Sequence, residues 1–136
     1  VLIHAGDIIA PFSLESLVRF NGQVFFVYGN NDGERRGIGK VASGTNVTVA
    51  GDKLEMDFDG LSTYVTHYPD EAKRVFDAGE HDLVIFGHTH QKGSWADGER
   101  VLINPGEVYG RRTGMSTWVL FDTTTREFEF RTVTQI

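Results

Sequence analysis

A layered α/β (α+β) fold, with two mixed β-sheets flanked by helices, is the class that this 136-residue sequence predicts. Three observations predict it. Continuous apolar runs at Val1–Ala5, Gln23–Tyr28 and Asp82–Phe86 have the composition of strands covered on both faces. Segments between them space their apolar residues as helices do. The second half then shifts to short strands joined by Asp-Gly turns, a hairpin signal. With 40% hydrophobic residues and ten Phe, the chain has enough apolar surface for one folded domain over 1–136 and too much for a solvated coil.

In chain order, Val1–Ala5 reads as a buried-type strand that stops at Gly6-Asp7. Pro11–Val18 carries Phe12, Leu14, Leu17 and Val18 at roughly helical spacing, and Asn21-Gly22 closes the run. Gln23–Tyr28 is the second strand. Glu34–Val41 reads as a short helix or a lid, weakened by Gly37 and Gly39. Asn46–Val49, Lys53–Phe58 and Ser62–Thr66 read as strands, the last two joined at Asp59-Gly60. Asp70–Ala78 is expected as a helix with Asp70 at or near its N-cap and Gly79 at its end. Asp82–Phe86, Ser94–Ala96, Arg100–Ile103, Thr117–Phe121 and Glu127–Val133 complete the strands, with Phe128 and Phe130 forming an exposed edge open to self-pairing in a homo-oligomer. Phe12, Phe25, Phe26, Phe86 and Trp118 are expected in the core, His4 as a satisfied core histidine, and His81, between Glu80 and Asp82, on the surface.

Composition removes several function classes. No apolar run approaches the roughly 20 residues of a membrane helix. The net charge is −6 and no Lys/Arg stretch exceeds two residues, so a duplex nucleic-acid surface is not evident. Arg35-Arg36 and Arg111-Arg112 could reach a phosphate, but read first as solvated faces. With no Cys there is no disulfide and no thiolate metal site, so any metal must be held by His, Asp, Glu or Asn. A cytoplasmic location is the default expectation from the lack of Cys.

Polar clusters follow four of the strands: Gly6-Asp7, Gly29-Asn30-Asn31-Asp32, Thr66-His67-Tyr68-Pro69 and Gly87-His88-Thr89-His90. In open α/β sheets, sites gather at the carboxyl ends of strands. Each cluster alone reads first as a turn or a hydrogen-bonded edge. Together they would bring a carboxylate, an amide and several imidazoles to one rim.

These residues, with Asn104-Pro105-Gly106, resemble the calcineurin-like metallophosphoesterases, in particular the small phosphodiesterases related to the retromer metallophosphoesterase-fold subunit. Members carry, in order, Asp-x-His, Gly-Asp, Gly-Asn-x-Asp or Glu, a His usually followed by Gly, Gly-His-Thr-His and Asn-Pro-Gly-Ser. The resemblance implies that Asp7 bridges two divalent metal ions, that Asn30, His67 and His88 complete the second metal site, and that His90 binds the first. It implies catalytic roles for Asp7, Asn30 and His88, and a structural turn at Asn104-Pro105-Gly106. The implied ions are Mn²⁺, Zn²⁺, Ni²⁺ or Fe²⁺, which suit imidazole and carboxylate ligands. The implied activity is hydrolysis of a small phosphate ester, a phosphodiester before a monoester, by a metal-bridging hydroxide.

The sequence departs from that pattern at four points. The Asp-x-His is absent, which suggests an N-terminally incomplete domain lacking its first strand and loop. Asn31 stands where many members have a His that protonates the leaving group, and Asn cannot take that role. Tyr68-Pro69 replaces Gly-His, and Glu107 replaces Ser. Two alternatives therefore stay open: a non-catalytic scaffold on the same fold, and a mononuclear metal-binding domain using Asp7, Asn30, His67 and His88.

Overall fold

The computed structural model describes residues 1–133. Three helices and ten strands form three β-layers. A parallel three-stranded sheet is built from β1 (Leu2–His4), β2 (Val24–Val27) and β3 (Val47–Gly51), in the order β1-β2-β3. Helices α1 (Pro11–Val18) and α2 (Arg35–Ala42) make the crossovers, and Leu14, Ile38 and Ala42 pack with Val24, Phe26 and Val47. The segment read as a helix or a lid is thus a helix, with Glu34 accepting from the Gly37 N–H at 2.8 Å. Gly37 has a packing reason to be glycine: a Cβ there would meet Pro11 Cγ at 2.6 Å, where α2 lies close to α1.

The larger sheet has the order β4-β5-β6-β8-β7, from β4 (Lys53–Phe58), β5 (Leu61–Thr66), β6 (Leu83–Ile85), β7 (Gly93–Asp97) and β8 (Arg100–Asn104). Strands β5, β6 and β8 run parallel, and the outer pairs are antiparallel. Asp59 and Gly60 both take positive φ, 56° and 82°, as a two-residue hairpin turn requires. Strand alternation sends Tyr64, Val84 and Leu102 toward α3 (Pro69–Ala78), where they meet Ala72 and Phe76. It sends Leu61, Leu83, Val101 and Ile103 to the opposite face, covered by Val119, Phe121, Phe128 and Phe130 of the hairpin β9 (Thr117–Phe121) and β10 (Phe128–Thr132).

Four expectations are corrected. Phe12 is 73% exposed; at 3.6 residues per turn it points about 200° away from Leu14 around α1. Trp118 is 37% exposed, because β9 turns Val119 and Phe121 inward and so Trp118 outward, under the Arg131 guanidinium. Phe128 and Phe130 are half-buried against the large sheet instead of forming an open edge. His81 is buried, its ring edge-on to Tyr64 and its Nε2 3.1 Å from Glu55. The N-cap of α3 is Tyr68 and Pro69 occupies the first helical position that its fixed φ favours, which leaves Asp70 in the first turn, near the cap as expected. Gly79 ends α3 in the left-handed conformation, as expected.

Candidate metal centre

The carboxyl ends of β1, β2, β5, β6 and β8 lead into Asp7, Asn30, His67, His88 and the Asn104 turn respectively. The backbones approach so closely here that side chains are excluded. A Cβ at Gly29 would lie 2.2 Å from Asp7 Oδ1, and one at Gly6 would lie 2.6 Å from His67 Nδ1. Asp7, His88 and His90 all adopt positive φ, 62°, 62° and 64°. Non-glycine residues rarely sit there, and such strain collects where surrounding structure imposes it for function.

Asp7 is held from two directions. Its Oδ1 accepts the Asn31 N–H at 2.9 Å and its Oδ2 accepts the Asn31 side-chain amide at 2.8 Å. Behind it, the buried Asp32 carboxylate accepts N–H groups from Asp7 at 2.9 Å, Ile9 at 2.9 Å and Gly29 at 2.7 Å. Asp32 thus ties the loop after β1 to the loop after β2.

His67 is fully enclosed at 2% exposure, and its Nδ1 donates to the Ala5 carbonyl at 2.7 Å. A carbonyl can only accept, so the neutral ring carries its proton on Nδ1 and offers a lone pair at Nε2. That lone pair faces other polar atoms. Asn30 Oδ1 is 3.0 Å away, Asp7 Oδ2 3.5 Å and His88 Nδ1 3.3 Å. Asn30 Oδ1 is also 2.9 Å from His88 Nδ1. With its oxygen turned inward, Asn30 presents Oδ1 to both His67 Nε2 and His88 Nδ1. A cation among these atoms would take them as ligands. Among the described residues no three His, Asp or Glu side chains close on one point by themselves; the Asn30 oxygen lies between the two imidazoles.

Residues 1–126 match the family model of the calcineurin-like phosphoesterase superfamily domain. The chain belongs to that superfamily. It is 31% identical over 130 residues to phosphodiesterase MJ0936 of Methanocaldococcus jannaschii, covering 93% of this chain and 78% of that protein. The solved structure of an archaeal phosphodiesterase superposes with a TM-score of 0.85 at 28% identity, covering 96% of this chain and 81% of the other. Vps29 of Entamoeba histolytica, solved with Zn²⁺, shares the fold at a TM-score of 0.53 and 13% identity, over 97% of this chain and 96% of that one. Members of this superfamily generally use divalent metals.

Within this phosphoesterase-superfamily chain, the structure gathers Asp7, Asn30, His67 and His88 in one cluster, and it places His90 against a different partner. His90 Nδ1 is 2.7 Å from Glu107 Oε2. Burial would raise the Glu107 pKa, but N–H donation from Thr113, the His90 ring, the Thr113 hydroxyl and the Arg112 N–H outweigh it and hold the carboxyl down at about 2. Asn104 is fully buried; its amide donates to Gly87 O at 3.0 Å and Thr89 Oγ1 at 2.8 Å, and its Oδ1 accepts the Gly106 N–H. It thereby braces the Gly87–His90 loop. His4 accepts the Gly6 N–H on Nδ1, and burial lowers its pKa.

Three residues with evident roles here were given none by the sequence: Asp32, Tyr68 and Glu107. The Tyr68 ring stands 5.2 Å from the His67 ring and 5.5 Å from that of His88, yet is 42% exposed, so it forms a wall of the cluster facing solvent. The usable signal for Tyr68 and Glu107 was their position: each replaces the small residue expected beside a motif.

Proposed function

We propose that this chain is the catalytic domain of a metal-dependent phosphohydrolase acting on small phosphodiesters. The observation that carries the reading is the convergence of His67 Nε2, Asn30 Oδ1, His88 Nδ1 and Asp7 Oδ2 within 2.9–3.5 Å of one another along the contacts named above. Two imidazoles, an amide oxygen and a carboxylate suit Mn²⁺, Zn²⁺, Ni²⁺ or Fe²⁺. These four residues would hold one such ion, while His90 lies against Glu107.

Divalent ions in such a site lower the pKa of water and offset charge on a phosphoryl group. The chain's own residues do the rest. Ala5 orients His67, Asn31 orients the Asp7 carboxylate, and Asn104 fixes the loop bearing His88 and His90. Asn31 is no proton donor, so the reading favours leaving groups that depart without protonation, such as aryloxides, in the assay. The chain's −6 charge would repel phosphate, and bound cations reverse that locally.

The test is hydrolysis of bis-p-nitrophenyl phosphate in Mn²⁺. Asp7→Asn and His88→Ala are each expected to lose most of the turnover; unchanged rates in both would remove the reading. The donor set also favours a second reading, a single tightly held ion with no catalysis. Calorimetry returning one Mn²⁺ per chain, together with no turnover, would select it.

A further inference from the structure

Glu107 is buried and sits directly after the Asn104-Pro105-Gly106 turn. Its two oxygens face different tasks. Oε2 meets only the His90 ring, at 2.7 Å. Oε1 gathers three donors from one loop: Arg112 N–H at 2.8 Å, Thr113 N–H at 2.7 Å and the Thr113 hydroxyl at 3.0 Å. One carboxylate therefore fastens the loop 108–113, which exposes Tyr109 and Arg111, to the imidazole that ends the Gly-His-Thr-His segment.

We propose that Glu107 is a positioning residue: it fixes His90 in the Nδ1–H tautomer, leaving Nε2 as the ring's ligand atom. An ionised carboxylate only accepts, so the proton between Glu107 and His90 belongs to Nδ1. Outer carboxylates that set an imidazole's tautomer in this way are a recurrent means of presenting its other nitrogen to a metal. The inference rests on the reading that His90 faces a cation, but its first half, the tautomer, is decided without one.

A glutamine at 107 exposes the logic. Three loop donors already claim one oxygen, so the amide of Glu107→Gln keeps its oxygen there and turns its NH₂ toward His90. The ring must then accept on Nδ1, which moves its proton to Nε2 and removes the ligand lone pair. Nitrogen NMR on metal-free, ¹⁵N-histidine-labelled protein reads this directly. Wild type is expected as Nδ1–H at His90 and Glu107→Gln as Nε2–H, with Mn²⁺ affinity falling about 10–100-fold. Thr113→Val, which removes a loop donor and leaves the carboxylate, is expected to keep the wild-type tautomer. A purely structural Glu107 would lower stability without moving the His90 proton, and that result overturns the proposal. Should Glu107→Gln not fold, Nε2–H at His90 in wild type overturns it equally. If wild type binds no ion, the metal reading fails while the tautomer measurement still decides Glu107.

Discussion

The strand-end rim and the β9–β10 face are built on opposite principles. At the rim, three of the six non-glycine residues with positive φ among those described are Asp7, His88 and His90, and polar side chains are held against one another. On the hairpin face, Val119, Phe121, Phe128 and Phe130 close over Leu61, Leu83, Val101 and Ile103, and the Phe121 and Phe128 rings stack in parallel at 6.0 Å. The face buries apolar area and satisfies itself. The rim holds backbone strain and crowds polar side chains together. Stability and candidate chemistry are therefore separable by mutation, except at the residues that frame the rim.

The frame is where the separation should fail most strongly. Asp32→Ala strips a buried carboxylate from the N–H groups of Asp7, Ile9 and Gly29. Orphaned donors at about 1–3 kcal/mol each give an expected loss of about 4 kcal/mol in urea unfolding of the metal-free protein, with Mn²⁺ binding lost as well. Retained binding in a destabilised Asp32→Ala would show that the rim does not depend on this clamp.

Phe128→Ala should do the opposite. Removing a half-buried ring from the large sheet's outer face is expected to cost about 2–3 kcal/mol. Metal affinity and aryl-diester turnover in the folded protein should stay at wild-type values, because Phe128 packs on the apolar face formed by Leu61, Leu83, Val101 and Ile103. A fall in affinity would mean that the face and the rim are mechanically linked.

The difference also explains what could be read from sequence. The strands and the rim residues were legible because each run stops at polar side chains, after a glycine in three cases and after Thr66 in the fourth, a pattern local to five or six positions. Glu107 and Asp32 act over 17 and 25 residues, on His90 and on the Asp7 backbone, and no local pattern encodes such pairings. His81 misled for the same reason. Its neighbours Glu80 and Asp82 suggest a surface, yet Tyr64 and Glu55, brought from β5 and β4, enclose it. Phe12 misled through spacing counted without angle.

At the rim itself, His88→Ala should barely change the metal-free protein. The ring is exposed, so the expected change in unfolding free energy is within about 0.5 kcal/mol. The contrast appears with metal. Mn²⁺ at tenfold over its Kd should stabilise wild type by about 1.4 kcal/mol, and His88→Ala should lose most of that gain in a thermal-shift titration.

The smallest effect belongs to the turn that closes the hairpin, and pH sets its sign. Asp122 Oδ1 accepts the N–H groups of Thr124 at 2.8 Å and Thr125 at 3.0 Å. Donation from Thr125 and then Thr124 to the ionised carboxylate lowers its pKa below the ordinary Asp value. A group whose folded pKa is depressed adds stability above its unfolded pKa and loses that contribution as pH falls through the folded one. Asp122→Asn keeps an accepting oxygen but not the charge. Its melting temperature should sit slightly below wild type at pH 7, and the gap should close on acidification below about pH 4. Because this turn lies on the hairpin, metal affinity should not follow. A gap that widens in acid would place the source of the Asp122 effect elsewhere than in these two N–H groups.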